Sequence, residues 1–233
     1  RDGQLDAVVM ALAVGPKPRN EQGFTDARRV ADDKLRAVTA LVNESENQTR
    51  LAKSADALLA TVAQGDRAII LSFQNALIFG KDVSAIDYFF NQGVRMFALT
   101  HMGHNDFADS SRPLFNAATG QREAAAEHGG LSSKGVAAIA RFNALGAVID
   151  VSQLSTAATL QVVAESTAPV VASHSNARAL TDVSRNLSDQ EIRRIAAAGG
   201  VVHVAPFAGY LFDSNDPAID GAIRKMRREA GID

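Results

Sequence analysis

Short runs of apolar and β-branched residues recur along this chain at a steady spacing. They fall at residues 8–14 (VVMALAV), 68–73 (AIILSF), 95–100 (RMFALT), 147–152 (AVIDVS), 169–173 (PVVAS) and 200–205 (GVVHVA). Their near-continuous apolar character, in place of strict alternation, is that of strands covered on both faces. The stretches between them carry helical periodicity. Residues 26–63, rich in Ala, Leu, Arg and Lys, predict one or two helices, and residues 83–91 predict a short amphipathic one. Residues 132–145 open with Ser-Ser and close at Gly146, and residues 156–166 and 188–198 complete the helical set. Ser188 followed by Glu191 predicts a reciprocal N-terminal cap, and Gly199-Gly200 ends that helix.

Strands alternating with helices imply a parallel sheet with right-handed crossovers, either open and doubly wound or closed into a barrel. The polar residues separate the two. Gln74, His101, Gln153 and His174 each follow an apolar run, which places one polar group at the C-terminal end of several different strands. A TIM barrel distributes its chemistry in this way, whereas an open sheet concentrates it at one switch point. No GxGxxG turn follows any run. The expected fold is therefore an α/β TIM barrel, with the long connection 102–130 as a loop over its mouth.

Composition narrows the possibilities further. The 233 residues, 46% hydrophobic, suffice for one sizeable core. With 24 basic and 26 acidic residues and a net charge of −2, the chain has no basic stripe for nucleic acid or an anionic membrane. It has no cysteine, so any metal would have to be held by His, Asp or Glu. No run of 18 apolar residues suggests a membrane span. The sequence opens at Arg1 and not at Met, which suggests a processed protein or a fragment of a longer one.

Each candidate site residue has a structural alternative. His101 and His174 read as site histidines or as satisfied strand-end histidines. His104 and Asp106 read as loop residues with local hydrogen bonds, His128 as a solvated turn residue and His203 as a core or barrel-interior histidine. Asp150, within an apolar strand, requires partners if it is buried. Arg185 either pairs with Asp182 or Asp189 or clamps a carboxylate.

The segments GVRMFALTHMGHNDFADSS, GLSSKGVAAIARFNALGAVIDVSQLS, APVVASHSNARAL and SRNLSDQEIRRIAAAGGVVHV resemble the membrane (renal) dipeptidase family, the M19 metallopeptidases of the amidohydrolase superfamily. The resemblance runs in order along almost the whole chain. It implies a (β/α)8 barrel of the metal-dependent hydrolase type, two zinc ions at the strand ends, and hydrolysis of dipeptides by metal-activated water. His174 matches a zinc-binding histidine of the family. His101 matches the catalytic, substrate-contacting histidine, and Arg185 the arginine that holds the substrate carboxylate.

Two positions depart from the family pattern. Gln74 stands where the resemblance implies a metal-bridging glutamate, and Gln153 where it implies a histidine ligand. A carboxamide offers one weak carbonyl ligand in place of a carboxylate or imidazole. The family's first-strand His-x-Asp pair and last-strand aspartate are matched on none of the six strands, so the chain is expected to supply strands two to seven of the eight. Residues 1–233 then form a single barrel domain lacking its first and last strands, with one zinc ion or none. The resemblance points to a dipeptidase-like metallohydrolase acting on a small peptide-like substrate, with homodimerisation and a periplasmic location as further expectations. The alternatives are a metal-poor homologue in the maturation of a peptide-derived small molecule, of siderophore type, and a non-catalytic binding protein.

Overall fold

The computed structural model describes residues 5–44, 48–116, 119–211 and 217–229. The first half of the chain runs β1 (Ala7–Ala13), α1 (Glu21–Asn43), β2 (Thr49–Leu51), α2 (Ala55–Ala63) and β3 (Arg67–Gln74). A 3-10 turn at Ala76–Phe79 then leads to α3 (Ala85–Asn91) and β4 (Val94–Ala98). After a long loop carrying the hairpin β5 (Phe115–Asn116) and β6 (Gln121–Arg122) come α4 (Ser133–Leu145), β7 (Val148–Asp150) and α5 (Thr156–Glu165). The chain continues through β8 (Val171–Ala172), α6 (Asp189–Ala197), β9 (Val201–Val202), α7 (Ala208–Leu211) and α8 (Pro217–Glu229).

All six expected strands form, joined in parallel in the order β1-β3-β4-β7-β8-β9. Among the described residues β1 and β9 do not pair, so the sheet is a curled half-barrel whose two outer strands stay open. A seventh strand, β2, pairs with the start of β3. Its Thr-Arg-Leu sequence has too few apolar residues to show in the hydrophobic pattern.

The core lies between the sheet and its outer helices. Phe73 stacks on Phe79 with centroids 4.3 Å apart, and Phe97 stacks on Phe142 at 4.9 Å. Burying a side chain of this size contributes about 2–3 kcal/mol. Six of the eight residues of β3 are buried, which explains the absence of alternation in its sequence.

Helix starts follow their caps. The side chains of Asn20, Ser54, Ser132 and Ser155 each accept the N–H three residues on, and Ser188 and Glu191 form the expected reciprocal pair. The first helix begins five residues before the expected position 26. Gly23 lies inside its first turn because a Cβ there would sit 1.9 Å from the Pro18 carbonyl oxygen. The same constraint acts in α4, where a Cβ on Gly135 would sit 2.1 Å from the Phe107 carbonyl oxygen. Gly135→Ala is expected to push α4 off the loop and cost about 2 kcal/mol, measurable by thermal or urea denaturation.

Candidate functional site

The C-terminal ends of β3, β4, β7 and β8 point their polar residues into one mouth. Gln74 is the last residue of β3, and Gln153 follows β7 in a left-handed conformation, with φ of 71°. That conformation is uncommon for a residue with a Cβ and marks a locally strained position. The Gln74 Nε2 amide donates to Gln153 Oε1 at 2.5 Å and lies 3.4 Å from His174 Nε2. Gln74, Gln153 and His174, distant in sequence, therefore meet in space.

Hydrogen-bond balance fixes the state of His174. The Ser173 hydroxyl donates to Asp150 Oδ2 at 2.5 Å, which uses its only proton. The 2.7 Å contact between Ser173 Oγ and His174 Nδ1 must then be donated by the imidazole. His174 Nε2 is left as an acceptor, turned toward the second amide proton of Gln74. Burial pushes His174 below the ordinary imidazole value, partly offset by Asp150 and reinforced by Arg185. Asp150 is itself satisfied, since its Oδ1 also accepts the N–H groups of Ser152 and Ser173. The acid expected to need partners has them.

His101 follows β4. Burial first, then the charges of His174, Arg185, Arg112 and Lys34, push its imidazole below the ordinary value. Its Nδ1 is buried without a hydrogen-bond partner. Arg185 is only 4% exposed. One of its terminal nitrogens donates to the His174 carbonyl at 3.0 Å, its guanidinium lies 5.0 Å from the Tyr210 ring centroid, and its Nε has no partner. It forms an ion pair with neither Asp182 nor Asp189, and Asp189 pairs instead with Arg193.

The other histidines are held away from this chemistry. His104 is buried, accepts the Ser110 N–H on Nδ1 and donates from Nε2 to the Ala124 carbonyl. Asp106 binds Arg19 and Lys134, so its partners are not local. His128 is half-buried and donates to the Asn105 carbonyl, in contrast to the solvated turn residue expected. His203 is exposed beyond β9, in contrast to the core or barrel-interior residue expected; among the described residues no further strand pairs with β9.

Several residues that organise the mouth were not singled out from the sequence. Asn75, with φ of 93°, donates to the Val14 carbonyl and accepts from Leu77 N–H and Asn105, tying the ends of β1 and β3 to the long loop. Asp109 gathers that loop around its carboxylate by accepting the N–H groups of Glu127, His128 and Gly130. The side-chain type alone gave no signal in either case, although Asn and Asp are the residues that most readily satisfy turn backbone.

The donor set at the strand ends does not fit zinc. Among the described residues it contains two imidazoles, His101 and His174, and two carboxamides that bond to each other, and no group of three or more His, Cys, Asp or Glu is placed to hold a metal ion. Gln74→Glu combined with Gln153→His would place a carboxylate and a second imidazole beside His174. The double variant is expected to gain measurable zinc affinity over the parent, read by competition with a chromophoric chelator.

These features define an α/β half-barrel whose strand ends form a polar mouth. A model of the membrane dipeptidase family, peptidase family M19, matches residues 1–233, and the chain belongs to that family. Among solved structures it is similar to the probable dipeptidase PvdM from Pseudomonas aeruginosa, with 38% identity and a TM-score of 0.86 over 99% of this chain and 57% of that one. Among curated proteins it is 33% identical over 141 residues to dipeptidase aclJ of Aspergillus oryzae, covering 60% of this chain and 31% of that one. It is 25% identical over 195 residues to dipeptidase verJ of Clonostachys rogersoniana, covering 84% and 47% respectively. The chain thus spans between about a third and a half of the length of these curated relatives. No helix among the described residues is long and apolar enough to cross a membrane.

Proposed function

We propose that this protein is a metal-poor member of the dipeptidase family that captures a small peptide-like molecule by its terminal carboxylate and serves in the maturation of a peptide-derived compound. The observation that carries this reading is Arg185, a buried guanidinium with an unpartnered Nε and no carboxylate bonded to it. A buried cation is costly unless a counter-charge arrives, and a peptide carboxylate matches its planar fork. His101, neutral and with an unpartnered ring nitrogen, is the group assigned to the peptide carbonyl. The similarity to PvdM and to the fungal dipeptidases supports a peptide-like ligand, a siderophore precursor being one such compound, and a periplasmic setting belongs to the same proposal.

A second reading, a zinc dipeptidase acting by metal-activated water, is favoured by one observation: the acceptor Nε2 of His174 faces the mouth. In that reading His174 and one zinc ion would act together with Gln74, Gln153 and ligands outside these residues. The mutual bonding of the two amides favours the first.

Calorimetric titration of the full-length protein with L-alanyl-L-alanine and with its C-terminal amide tests the proposal. The free acid is expected to bind at least about tenfold more tightly, the difference made by a charge-assisted contact. Equal affinity, or no binding of either, would remove the carboxylate clamp.

A further inference from the structure

The long loop returns to the mouth at residues 110–112 and is fixed there by its backbone. The Ser110 hydroxyl bonds to the His101 carbonyl at 2.7 Å and the Gln153 carbonyl at 3.3 Å, and it accepts the Arg112 N–H at 3.1 Å. Ser111 N–H donates to the Gln153 carbonyl at 2.8 Å, and the Arg112 carbonyl accepts the Gly103 N–H at 2.8 Å. A β-bridge joins Ser110 to Leu154. One serine thus locks the backbone of Arg112 to the two strand ends that carry His101 and Gln153.

Two polar groups on this fixed segment are left over. The Ser111 hydroxyl oxygen is buried with no partner. The exposed Arg112 makes no ion pair among the described residues. Other cations of the neighbouring loops are committed: Arg19 pairs with Asp106 and Glu127, Lys134 pairs with Asp106, and Arg122 donates to the Pro113 carbonyl. The charge of Arg112 is among the influences that hold His101 and Arg185 below their ordinary pKa values, after burial.

Charge balance points the same way. Three cations, Arg185, Arg112 and Lys34, act on His101. The carboxylate that acts on His174 and Arg185 is Asp150, which accepts bonds from Ser152 and Ser173 and keeps its charge. Among these described groups Arg185, Arg112 and Lys34 against Asp150 leave two formal positive charges, more than a single carboxylate on Arg185 would balance, and a concave site of one sign focuses its field on a ligand of the other.

We infer that Arg112 and Ser111 form a second anion-reading position on the rim, so that the captured molecule carries two acidic groups: a terminal carboxylate at Arg185 and an acidic side chain at Arg112. This rests on the carboxylate reading of Arg185 and narrows the ligand to acidic, dicarboxylic peptide-like molecules. Arg112 determines specificity here and takes no part in bond making.

The test is calorimetric titration of the full-length protein with two isosteric pairs, L-alanyl-L-glutamate against L-alanyl-L-glutamine and L-aspartyl-L-alanine against L-asparaginyl-L-alanine. The acidic member of at least one pair is expected to bind about fivefold more tightly, as suits a rim contact, and the preference should shrink as salt is raised. Arg112→Ala should abolish the preference and Arg112→Lys retain it, with thermal melts confirming that both variants fold. Equal binding within both pairs, or a preference that survives Arg112→Ala, overturns the inference and leaves the Arg185 clamp standing. No binding of any of the four peptides overturns the clamp itself, and the inference with it.

Discussion

Replacing Arg185 by methionine will weaken capture of L-alanyl-L-alanine by the full-length protein at least about 100-fold, close to 3 kcal/mol, while leaving the thermal midpoint unchanged or raised. The two expectations come from the same geometry. Arg185 is 4% exposed, one of its bonds goes to the His174 carbonyl, and its Nε is unpartnered. Burial accordingly pushes it below its ordinary pKa, with Tyr210 partly offsetting the shift. In the unliganded protein the side chain is a desolvated charge with little compensation, and removing it relieves that cost. Methionine keeps the apolar stem against Tyr210 and loses the planar fork that would bind a carboxylate. A residue that mainly held the fold would lose stability on the same substitution. Calorimetry and thermal melting together separate the two roles.

Asp109→Ala has the largest expected effect on stability, about 3 kcal/mol or more, through loss of the long loop's anchor. The carboxylate is fully buried and takes N–H bonds from Glu127, His128 and Gly130. Without it those donors have no acceptor, and the bridge between Ala108 and Leu131 loses its neighbour. Burial alone would raise the Asp109 pKa; the three backbone donors outweigh it, and the group lies below its ordinary value. The sign for pH follows. A folded pKa below the unfolded one contributes stability that is full above the unfolded value, about 4, and is lost as pH falls through the folded value. Urea midpoints measured from pH 7 down to pH 3 should fall more steeply for the parent than for Asp109→Ala, which has already lost this contribution. Parallel slopes would show that Asp109 carries no such coupling.

The parts of the structure legible in the sequence are those governed by local pattern. Apolar runs gave the six principal strands, and the 188–191 cap and Gly146 marked helix ends that the chain adopts. Strand-end placement brought out Gln74, Gln153 and His174 before their contact could be seen, because the C-terminal ends of parallel strands share one face. What stayed hidden depends on partners far along the chain. Ser173 matters because it bonds to Asp150, 23 residues away, and Asp109 because its donors lie 18 to 21 residues on. Arg185 had nearby aspartates that local reasoning offered as partners, and the fold turned it instead toward the His174 carbonyl. Strand β2 was set by its pairing with β3, and the early start of α1 by the Asn20 cap and not by periodicity.

The most direct test of a metal-poor peptide site is calorimetric titration of the full-length protein with L-alanyl-L-alanine after chelator treatment, repeated after zinc loading. The hydrogen bond between the Gln74 and Gln153 carboxamides predicts the same affinity in both samples, within about twofold, and well under one zinc ion retained per chain after dialysis. Peptide binding that appears only in the zinc-loaded sample, together with one or two retained ions per chain, would contradict it.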